Sequence, residues 1–166
     1  MDTTINFRWL NDPVYANEIA QLLINNLEAD YISHSEILIG RSVDEDQWAD
    51  ELPEIIQQEI KAIFEKTDPD LTLAVVNVEE KIKGVCIIRL VETKKNKIWI
   101  IEDIIVDKNI RSMGIGTTFL KWVETEAKIQ GVNMLLCESG NHNYGAHDFF
   151  TGNGYKPLSQ TFLKKI

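Results

Sequence analysis

Hydrophobic and polar positions recur with two different periods along the chain, and together they predict a mixed α/β order of elements. Residues 4–9 alternate as expected of a strand, whereas the apolar residues after Asp12-Pro13 recur at helical spacing. Residues 31–48 show no clean period and are expected to form a loop with short helical pieces. A further amphipathic helix is predicted from Pro53, because proline is well tolerated in the first turn of a helix.

The second half of the chain carries the strongest strand patterns. Two apolar runs, "LTLAVVNV" and "VCIIRLVE", flank the polar turn "EEKIKG" and predict a hairpin, which continues through "KKNK" into a third strand, "IWIIEDIIV". A helix is predicted from about Gly114 to Gln130, with Gly131 as a left-handed cap. The remaining segments predict a strand in "VNMLLCES", a short helix in "AHDFFTGN" and closing strands in "YKPLSQTFLKKI".

Length and composition indicate one globular domain that spans residues 1–166. The hydrophobic share of 44% and the charged share of 26% are those of a folded protein rather than a disordered one. The apolar runs are too short to cross a bilayer, and the first residues lack the pattern of a signal peptide. Cys86 and Cys137 both lie in apolar strand patterns, which indicates buried free thiols and a reducing, cytoplasmic location, with a disulfide or a catalytic thiol as the alternative.

The net charge of −9 argues against nucleic-acid binding, which depends on clustered lysine and arginine. The acidic residues are concentrated between Glu28 and Glu59, where ten carboxylates stand against one base, Arg41, and give a local charge of −9. Two interpretations of this acidic stretch stay open. It is either a solvated helix surface or an acidic wall that concentrates a cationic ligand.

A glycine-rich segment, "RSMGIGTTFL", stands between a predicted buried strand and a predicted helix. Helix N-termini carry unpaired N–H groups and a partial positive charge, and glycine lets the backbone approach a ligand closely, so this position suits a phosphate. A P-loop would need Lys and then Ser or Thr after the last glycine, but Thr117 and Thr118 follow Gly116. A dinucleotide-binding loop would need a third glycine where Phe119 stands. The structural alternative is a plain tight turn that caps the helix.

At these residues the chain resembles the GCN5-related N-acetyltransferase family, whose Arg-x-x-Gly-x-Gly motif opens the helix that holds the pyrophosphate of acetyl-CoA. The signature reads "RSMGIGT" in this sequence. A second block, "NYGAHDFFTGNGY", follows the family's Asn, Ala, aromatic pair and Gly-aromatic pattern. The resemblance marks residues 98–156 as an acetyl-CoA-binding core and leaves residues 1–97 as the acceptor-side part, where the likeness is only architectural.

The resemblance implies an α+β fold, in which a mostly antiparallel central sheet, flanked by helices, splays after the strand that ends at Val106. The pantetheine arm of acetyl-CoA is then expected to pair with the backbone of that strand, and the pyrophosphate to bind N–H groups of the glycine turn. No metal is expected, because the three histidines show no metal-like spacing. The implied cofactor-binding residues are Ile104, Ile105, Val106, Arg111, Ser112, Met113, Gly114, Ile115, Gly116, Thr117, Asn143, Ala146, Phe149 and Phe150.

Acetyl transfer to an amine also requires a neutral amine, because a protonated amine has no lone pair to attack with. A carboxylate in or beside the strand can take that proton, directly or through water. Glu102 and Asp103 are expected on opposite faces of one strand, each the only charge on its face. The matching position in many family members is Glu102, so we expect Glu102 to be the base or acceptor anchor. Asp103 in that role, and a purely structural role for both carboxylates, are the alternatives.

One position departs from the family pattern. The second of the paired aromatic residues is usually a tyrosine, the expected proton donor to the leaving thiolate, and here it is Phe150. Tyr144 is a candidate substitute for that donor, and an exposed loop aromatic is its structural alternative. Coenzyme A thiolate is a fair leaving group, so water is a third source of the proton.

Two classes of function follow from these residues. The first is acetyl-CoA-dependent transfer of an acetyl group to a primary amine, expected on a small cationic acceptor such as a polyamine or an aminoglycoside, with protein amines as a variant. The second is a non-catalytic module that binds CoA or acyl-CoA, which Phe150 favours. No nucleic acid or membrane partner is expected. The sequence leaves open whether the chain forms a homodimer.

Overall fold

The computed structural model describes residues 3–166, which form two compact units. The first unit comprises the residues up to Leu27 together with Asp50–Glu138, and the second comprises Glu28–Ala49 and Ser139–Ile166. The assignment of residues 1–166 to a single domain stays a prediction.

A five-stranded mixed sheet forms the centre of the first unit, with its strands in the order β1-β2-β3-β4-β5. The first three pairings are antiparallel and the last is parallel, which confirms the predicted mixed and mostly antiparallel sheet. The strands are β1 (Ile5–Trp9), β2 (Leu71–Val78), β3 (Lys81–Glu92), β4 (Lys97–Val106) and β5 (Met134–Cys137).

Helices cover this sheet. In β2 and β3, the consecutive residues Leu73–Val76 and Val85–Ile88 are all buried, and since successive side chains point to opposite faces, both faces are covered. Phe7 of β1 stacks on Phe119 with 5.6 Å between ring centroids. The helices of the chain are α1 (Ala16–Asn26), α2 (His34–Leu38), α3 (Leu52–Phe64), α4 (Ile115–Ile129) and α5 (Tyr144–Gly152).

The turn between β2 and β3 is shorter than the sequence pattern indicated. Glu79 and Glu80 both have a left-handed backbone, with φ of 49° and 66°, and they form a two-residue hairpin turn. β3 therefore begins at Lys81 rather than Val85. The prediction of a longer turn was wrong because left-handed residues at such a turn are usually glycine or asparagine, and here they are glutamates.

The second unit contains α2 and α5 and little other regular structure. Residues 155–166 form no strand, so the prediction of closing strands was wrong. The apolar residues Leu158 and Phe162 are exposed in this segment, and within the described residues no strand pairs with it. Alternation alone indicated strands, but a strand also needs a partner for its backbone groups, and Pro157 lacks an N–H to donate.

Two kinds of feature are absent from the part of the chain that the structure describes. None of its helices is both long and apolar enough to cross a membrane. No group of three or more histidine, cysteine, aspartate or glutamate side chains within residues 3–166 is arranged to hold a metal ion.

Candidate active site

β4 has a neighbouring strand on both sides only in its first half. β3 pairs with it over Lys97–Val106, whereas β5 pairs with Ile98–Ile101 alone. Among the described residues, the backbone of Glu102–Val106 therefore has no partner strand on the β5 side. This open edge contains the three residues, Ile104 to Val106, at which the pantetheine arm is expected to pair.

A β-bulge interrupts β4 at Glu102. Ile101 pairs with Ile88 and Asp103 pairs with Ile87, so Glu102 has no partner residue of its own. Such an extra residue bends a strand and re-aims its side chains. The expectation that Glu102 and Asp103 lie on opposite faces rested on unbroken alternation, and the bulge removes that basis. The sequence pattern of an apolar run contains no signal for this irregularity.

The Glu102 carboxylate is one member of a three-residue ion-pair set. Its Oε1 accepts a hydrogen bond from Arg89 Nε at 2.6 Å, and Arg89 Nη1 donates to Asp68 Oδ2 at 2.7 Å. The side chains are about one-third exposed, at 34% for Glu102, 32% for Arg89 and 37% for Asp68. Two carboxylates and one guanidinium leave a net charge of −1, and the hydrogen bond from Arg89 lowers the pKa of Asp68.

Arg89 and Asp68 were not among the residues that the sequence pattern singled out. The signal for Arg89 was present, because it is a single cation inside the apolar run "VCIIRLVE". The same reasoning that singled out Glu102, a charge on an apolar strand that must be paired or used, applies to it. Asp68 lies in the segment between α3 and β2, where an aspartate is unremarkable, and only the fold brings it to Arg89.

The glycine turn opens α4 as predicted. Gly114 is the N-terminal cap residue of this helix and has a left-handed backbone with φ of 74°, and Ser112 two positions earlier is also left-handed, with φ of 69°. Left-handed residues within a turn can gather successive N–H groups into a concave anion site. Arg111 Nε donates to the carbonyl oxygen of Val106 at 3.1 Å, which ties this turn to the end of β4.

The two threonines after the glycines differ in their contacts. Thr118 Oγ1 donates to the carbonyl oxygen of Gly114 at 3.1 Å, so its hydroxyl is used inside the first turn of α4. Thr117 Oγ1 has no hydrogen bond to protein among the described residues. The hydroxyl that bonds back to the start of the helix is therefore that of Thr118, and the expected phosphate contact of Thr117 stays a prediction.

The predicted residues of the second unit lie on or beside α5. Asn143 caps this helix, and its Oδ1 accepts from Ala146 N at 3.1 Å. This cap starts α5 at Tyr144, two residues before the predicted start. Tyr144 is 67% exposed and meets the His147 ring edge to face at 6.0 Å. Phe150 is buried against Phe149, with ring centroids 5.2 Å apart.

Part of the acidic stretch is neutralised within the second unit. Lys165 Nζ lies 3.2 Å from Asp44 Oδ2 and 3.3 Å from Glu45 Oε2. Lys165 and Glu45 also line a cavity of about 470 Å³, together with His142. The charge balance of −9 between Glu28 and Glu59 is therefore reduced by a lysine from outside that stretch.

Both cysteines are free thiols. Cys86 is buried and Cys137 is partly buried, so the predicted free thiols are present, although Cys137 is less buried than expected. Burial raises the pKa of Cys137 to about 11, and burial with the nearby Asp103 charge raises that of Cys86. Neither sulfur is a thiolate at neutral pH, which argues against a catalytic thiol.

Comparison with known families shows to which family the chain belongs. The sequence model of the acetyltransferase (GNAT) family matches residues 20–155, which is more than half of the chain. The chain belongs to the GNAT family of acetyltransferases. The chain is accordingly an acyltransferase, and enzymes of this family use acetyl-CoA as the acetyl donor. A search of curated protein sequences found no match.

Solved structures with the same fold include enzymes with different acceptors. A ribosomal-protein-alanine N-acetyltransferase from Brucella melitensis biovar Abortus 2308 matches with a TM-score of 0.69 and 11% identity, over 98% of this chain and 100% of that one. An aminoglycoside N-acetyltransferase AAC(6')-Iy in complex with CoA matches with a TM-score of 0.68 and 10% identity, over 100% and 97%.

A third structure is an aminoglycoside acetyltransferase, meta-AAC0020, from an uncultured soil metagenomic sample in complex with sisomicin. It matches with a TM-score of 0.66 and 15% identity, over 98% of this chain and 96% of that chain. At these identities the likeness shows the fold alone and leaves the acceptor open.

Proposed function

We propose that this acetyltransferase acts on a primary amine of a small cationic acceptor. The observation that carries the proposal is the ion-pair set of Glu102, Arg89 and Asp68, which has a net charge of −1 and includes the bulge residue of β4. A single ammonium group would neutralise that set. Attraction of a cation to a partly exposed carboxylate also fits the acidic composition of the chain.

The open edge of β4 and the glycine turn fit the two polar parts of acetyl-CoA. We infer that the backbone of Ile104, Ile105 and Val106 pairs with the amides of the pantetheine arm, as an added strand would. N–H groups from Ser112 to Thr117 hold the pyrophosphate, because the turn is left-handed at two positions and precedes a 15-residue helix. Met113, Gly114, Ile115 and Gly116 contribute backbone rather than side chains.

The reaction is a direct attack of the amine nitrogen on the thioester carbonyl carbon. Glu102 takes a proton from the ammonium, directly or through one water, so that the nitrogen lone pair becomes available. The C–N bond forms, the C–S bond breaks, and the thiolate leaves. Backbone N–H groups of β4 polarise the carbonyl oxygen. Since the pKa of a thiol is about 8.5, water is a sufficient proton source for the thiolate, and Phe150 is no obstacle.

We propose that the remaining predicted residues also act in binding or catalysis. Asn143, Ala146, Phe149 and Phe150 are assigned to CoA binding on the family motif, and Tyr144 is the candidate proton donor because its side chain is exposed at the start of α5. Asp103 is the alternative base. A cytoplasmic location is proposed from the two free thiols.

A panel of amines tests the acceptor class. Purified protein is incubated with acetyl-CoA and spermidine, kanamycin, a lysine-containing peptide or glutamate, and released CoA is measured with a thiol reagent. Spermidine or kanamycin is expected to be the best acceptor. Preference for the peptide would move the proposal to protein amines, and preference for glutamate or no turnover with any amine would overturn it.

Two glycines provide a matched test of the donor site. Gly114 and Gly131 stand at opposite ends of α4, have φ of 74° and 73°, and would each accept a Cβ without close contact. Valine is equally strained at both, so only position differs. Gly114→Val is expected to weaken CoA binding at least tenfold in calorimetry, whereas Gly131→Val leaves it unchanged. Equal affinity in both variants would overturn the assignment of the pyrophosphate site.

A further inference from the structure

A buried amide from α1 holds the segment that leads into the glycine turn. Asn26, the last residue of α1, is only 3% exposed. Its Oδ1 accepts a hydrogen bond from the backbone N–H of Lys108 at 2.8 Å, 82 positions along the chain. Its Nδ2 donates to the carbonyl oxygen of Leu22 at 2.8 Å. Both ends of the Asn26 amide are therefore used, as a buried polar group requires.

The bond to Lys108 is not needed to end α1. The backbone N–H of Leu27 already donates to the carbonyl oxygen of Leu23 at 3.0 Å, and the Asn26 Nδ2 satisfies Leu22 within the same helix. The Asn26 Oδ1 atom instead accepts from the backbone N–H of Lys108. Lys108 is the first residue of the short 3₁₀ turn Lys108–Ile110, so its N–H has no acceptor within that turn.

A second anchor fixes the same segment from β3. Asp107 Oδ2 accepts from Lys83 Nζ at 2.7 Å, and Asp107 Oδ1 accepts from the Asn109 backbone N–H at 2.9 Å. The Asp107 backbone N–H donates to the Lys83 carbonyl oxygen at 2.8 Å. α1 and β3 thus hold adjacent residues, Lys108 and Asp107, at the start of the short 3₁₀ turn that leads to Arg111.

We propose that Asn26 is a positioning residue for the pyrophosphate turn. By holding Lys108, it sets the path of the chain into Ser112–Thr117, so that the N–H groups of this turn are already arranged for an anion in the free protein. Preorganisation of this kind raises affinity because ordering is not required on binding. The inference rests on the proposed binding of the CoA pyrophosphate at this turn, but it does not depend on the acceptor or on turnover.

Asn26→Leu removes the acceptor while keeping a similar volume. CoA affinity, measured by calorimetry well below the melting temperature, is expected to fall about tenfold, because a buried N–H loses its partner. Pantetheine lacks the pyrophosphate, so its affinity, measured by NMR titration, should change less than twofold. A variant that only lost stability would bind both CoA and pantetheine more weakly, to the same extent.

Two control variants accompany this test. Asn133 Oδ1 accepts from the Lys97 backbone N–H at 2.9 Å, the same kind of bond at the opposite end of β4, so Asn133→Leu should leave CoA affinity unchanged. Ile19→Val removes a methylene from a fully buried residue of α1 and controls for lost stability in that helix. A folded Asn26→Leu protein that binds CoA within twofold of the wild type, or that loses pantetheine equally, would overturn the proposal.

Hydrogen exchange of the wild-type protein tests the proposal even where Asn26→Leu fails to fold. The Lys108 amide is expected to be protected before CoA is added. Exchange of this amide at the rate of an unstructured peptide would contradict the proposal. Wild-type protein that binds no CoA at all would instead overturn the proposed function, so the two failures are distinguishable.

Discussion

Arg89 Nε donates to Glu102 Oε1 at 2.6 Å, so the proposed base is held by a guanidinium from the neighbouring strand. Arg89 also donates to Asp68 at 2.7 Å, and the guanidinium is therefore shared between two carboxylates. This sharing distinguishes the site from a lone carboxylate on an apolar strand. It gives the base a defined orientation and leaves one net negative charge for an ammonium group.

Glu102→Gln tests the proton path. We expect kcat/KM for the best amine of the panel to fall about 100-fold, the low end of general-base contributions, and most severely at low pH, where free amine is scarce. Tyr144→Phe should cost less, and Phe150→Tyr should change the rate less than about tenfold, since the thiolate is the easier group to protonate. The pH dependence of kcat/KM for each variant is the measurement.

The exposed pair between Lys61 and Glu65, with 3.6 Å between Nζ and Oε1, supplies the control. Glu65→Gln removes a carboxylate from an ion pair in the same way but should leave kcat/KM unchanged. The role assignment is inverted if Glu102→Gln is harmless across the pH range while Tyr144→Phe abolishes turnover.

Arg89→Gln should separate binding from turnover. Loss of the guanidinium changes the charge of the set from −1 to −2, so a cationic acceptor is expected to bind more tightly and KM to fall. The Glu102 carboxylate loses the group that holds it, so kcat is expected to fall as well, by about tenfold. Steady-state kinetics with spermidine measures both. An unchanged kcat would show that Arg89 does not position the base.

Adjacent threonines give a matched pair for the pyrophosphate site. We propose that the Thr117 hydroxyl bonds a phosphate oxygen of CoA, so Thr117→Val is expected to raise the Kd for CoA about tenfold. Thr118→Val should have less than a twofold effect, since its hydroxyl already donates to Gly114. Calorimetry with CoA measures both variants, and a larger effect at Thr118 would reassign the contact.

The pair between Asp107 and Lys83 makes stability depend on pH in a defined direction. The hydrogen bond from Lys83 lowers the pKa of Asp107 below its usual value of 3.8. A lowered folded-state pKa contributes stability that is present above 3.8 and is lost as the pH falls through the folded-state pKa. The wild type should therefore lose more unfolding free energy than Asp107→Asn does between about pH 5 and about pH 3.

Urea unfolding at several pH values measures this difference. The amide that replaces the carboxylate in Asp107→Asn retains an oxygen acceptor for the backbone N–H of Asn109, so the comparison isolates the charge rather than the turn. Parallel pH profiles for the two proteins would show that the ion pair contributes nothing to stability.

Lys165 should weaken the attraction of the acidic stretch for a cationic acceptor. Lys165→Gln frees Asp44 and Glu45, so KM for spermidine is expected to fall at low ionic strength and to rise more steeply with salt. Screening shortens the Debye length to about 10 Å at 0.1 M, which sets the salt range. Lys164→Gln, at an exposed neighbouring position, is the control. A KM that changes neither with salt nor in Lys165→Gln would indicate that the acidic stretch is a solvated surface without a role in binding.

The sequence by itself determined the features that depend on near neighbours. The left-handed conformation of Gly131 was predictable because glycine adopts it without steric cost. The strand pattern of β4 and the two family blocks were equally readable, since both are properties of contiguous residues. From these followed the mixed sheet, the turn at the start of α4 and the acetyltransferase class.

Only the tertiary structure decided which distant residues meet. The bulge at Glu102 depends on how β3 and β4 are aligned, and an apolar run on both strands is compatible with several alignments. The same alignment brings Arg89 to Glu102, 13 positions away, and the packing of α1 brings Asn26 to Lys108, 82 positions away. Such contacts form only in an arrangement that buries the apolar side chains of the whole chain together. Local periodicity does not carry that information, because side chains far apart in sequence become neighbours only after the core has formed.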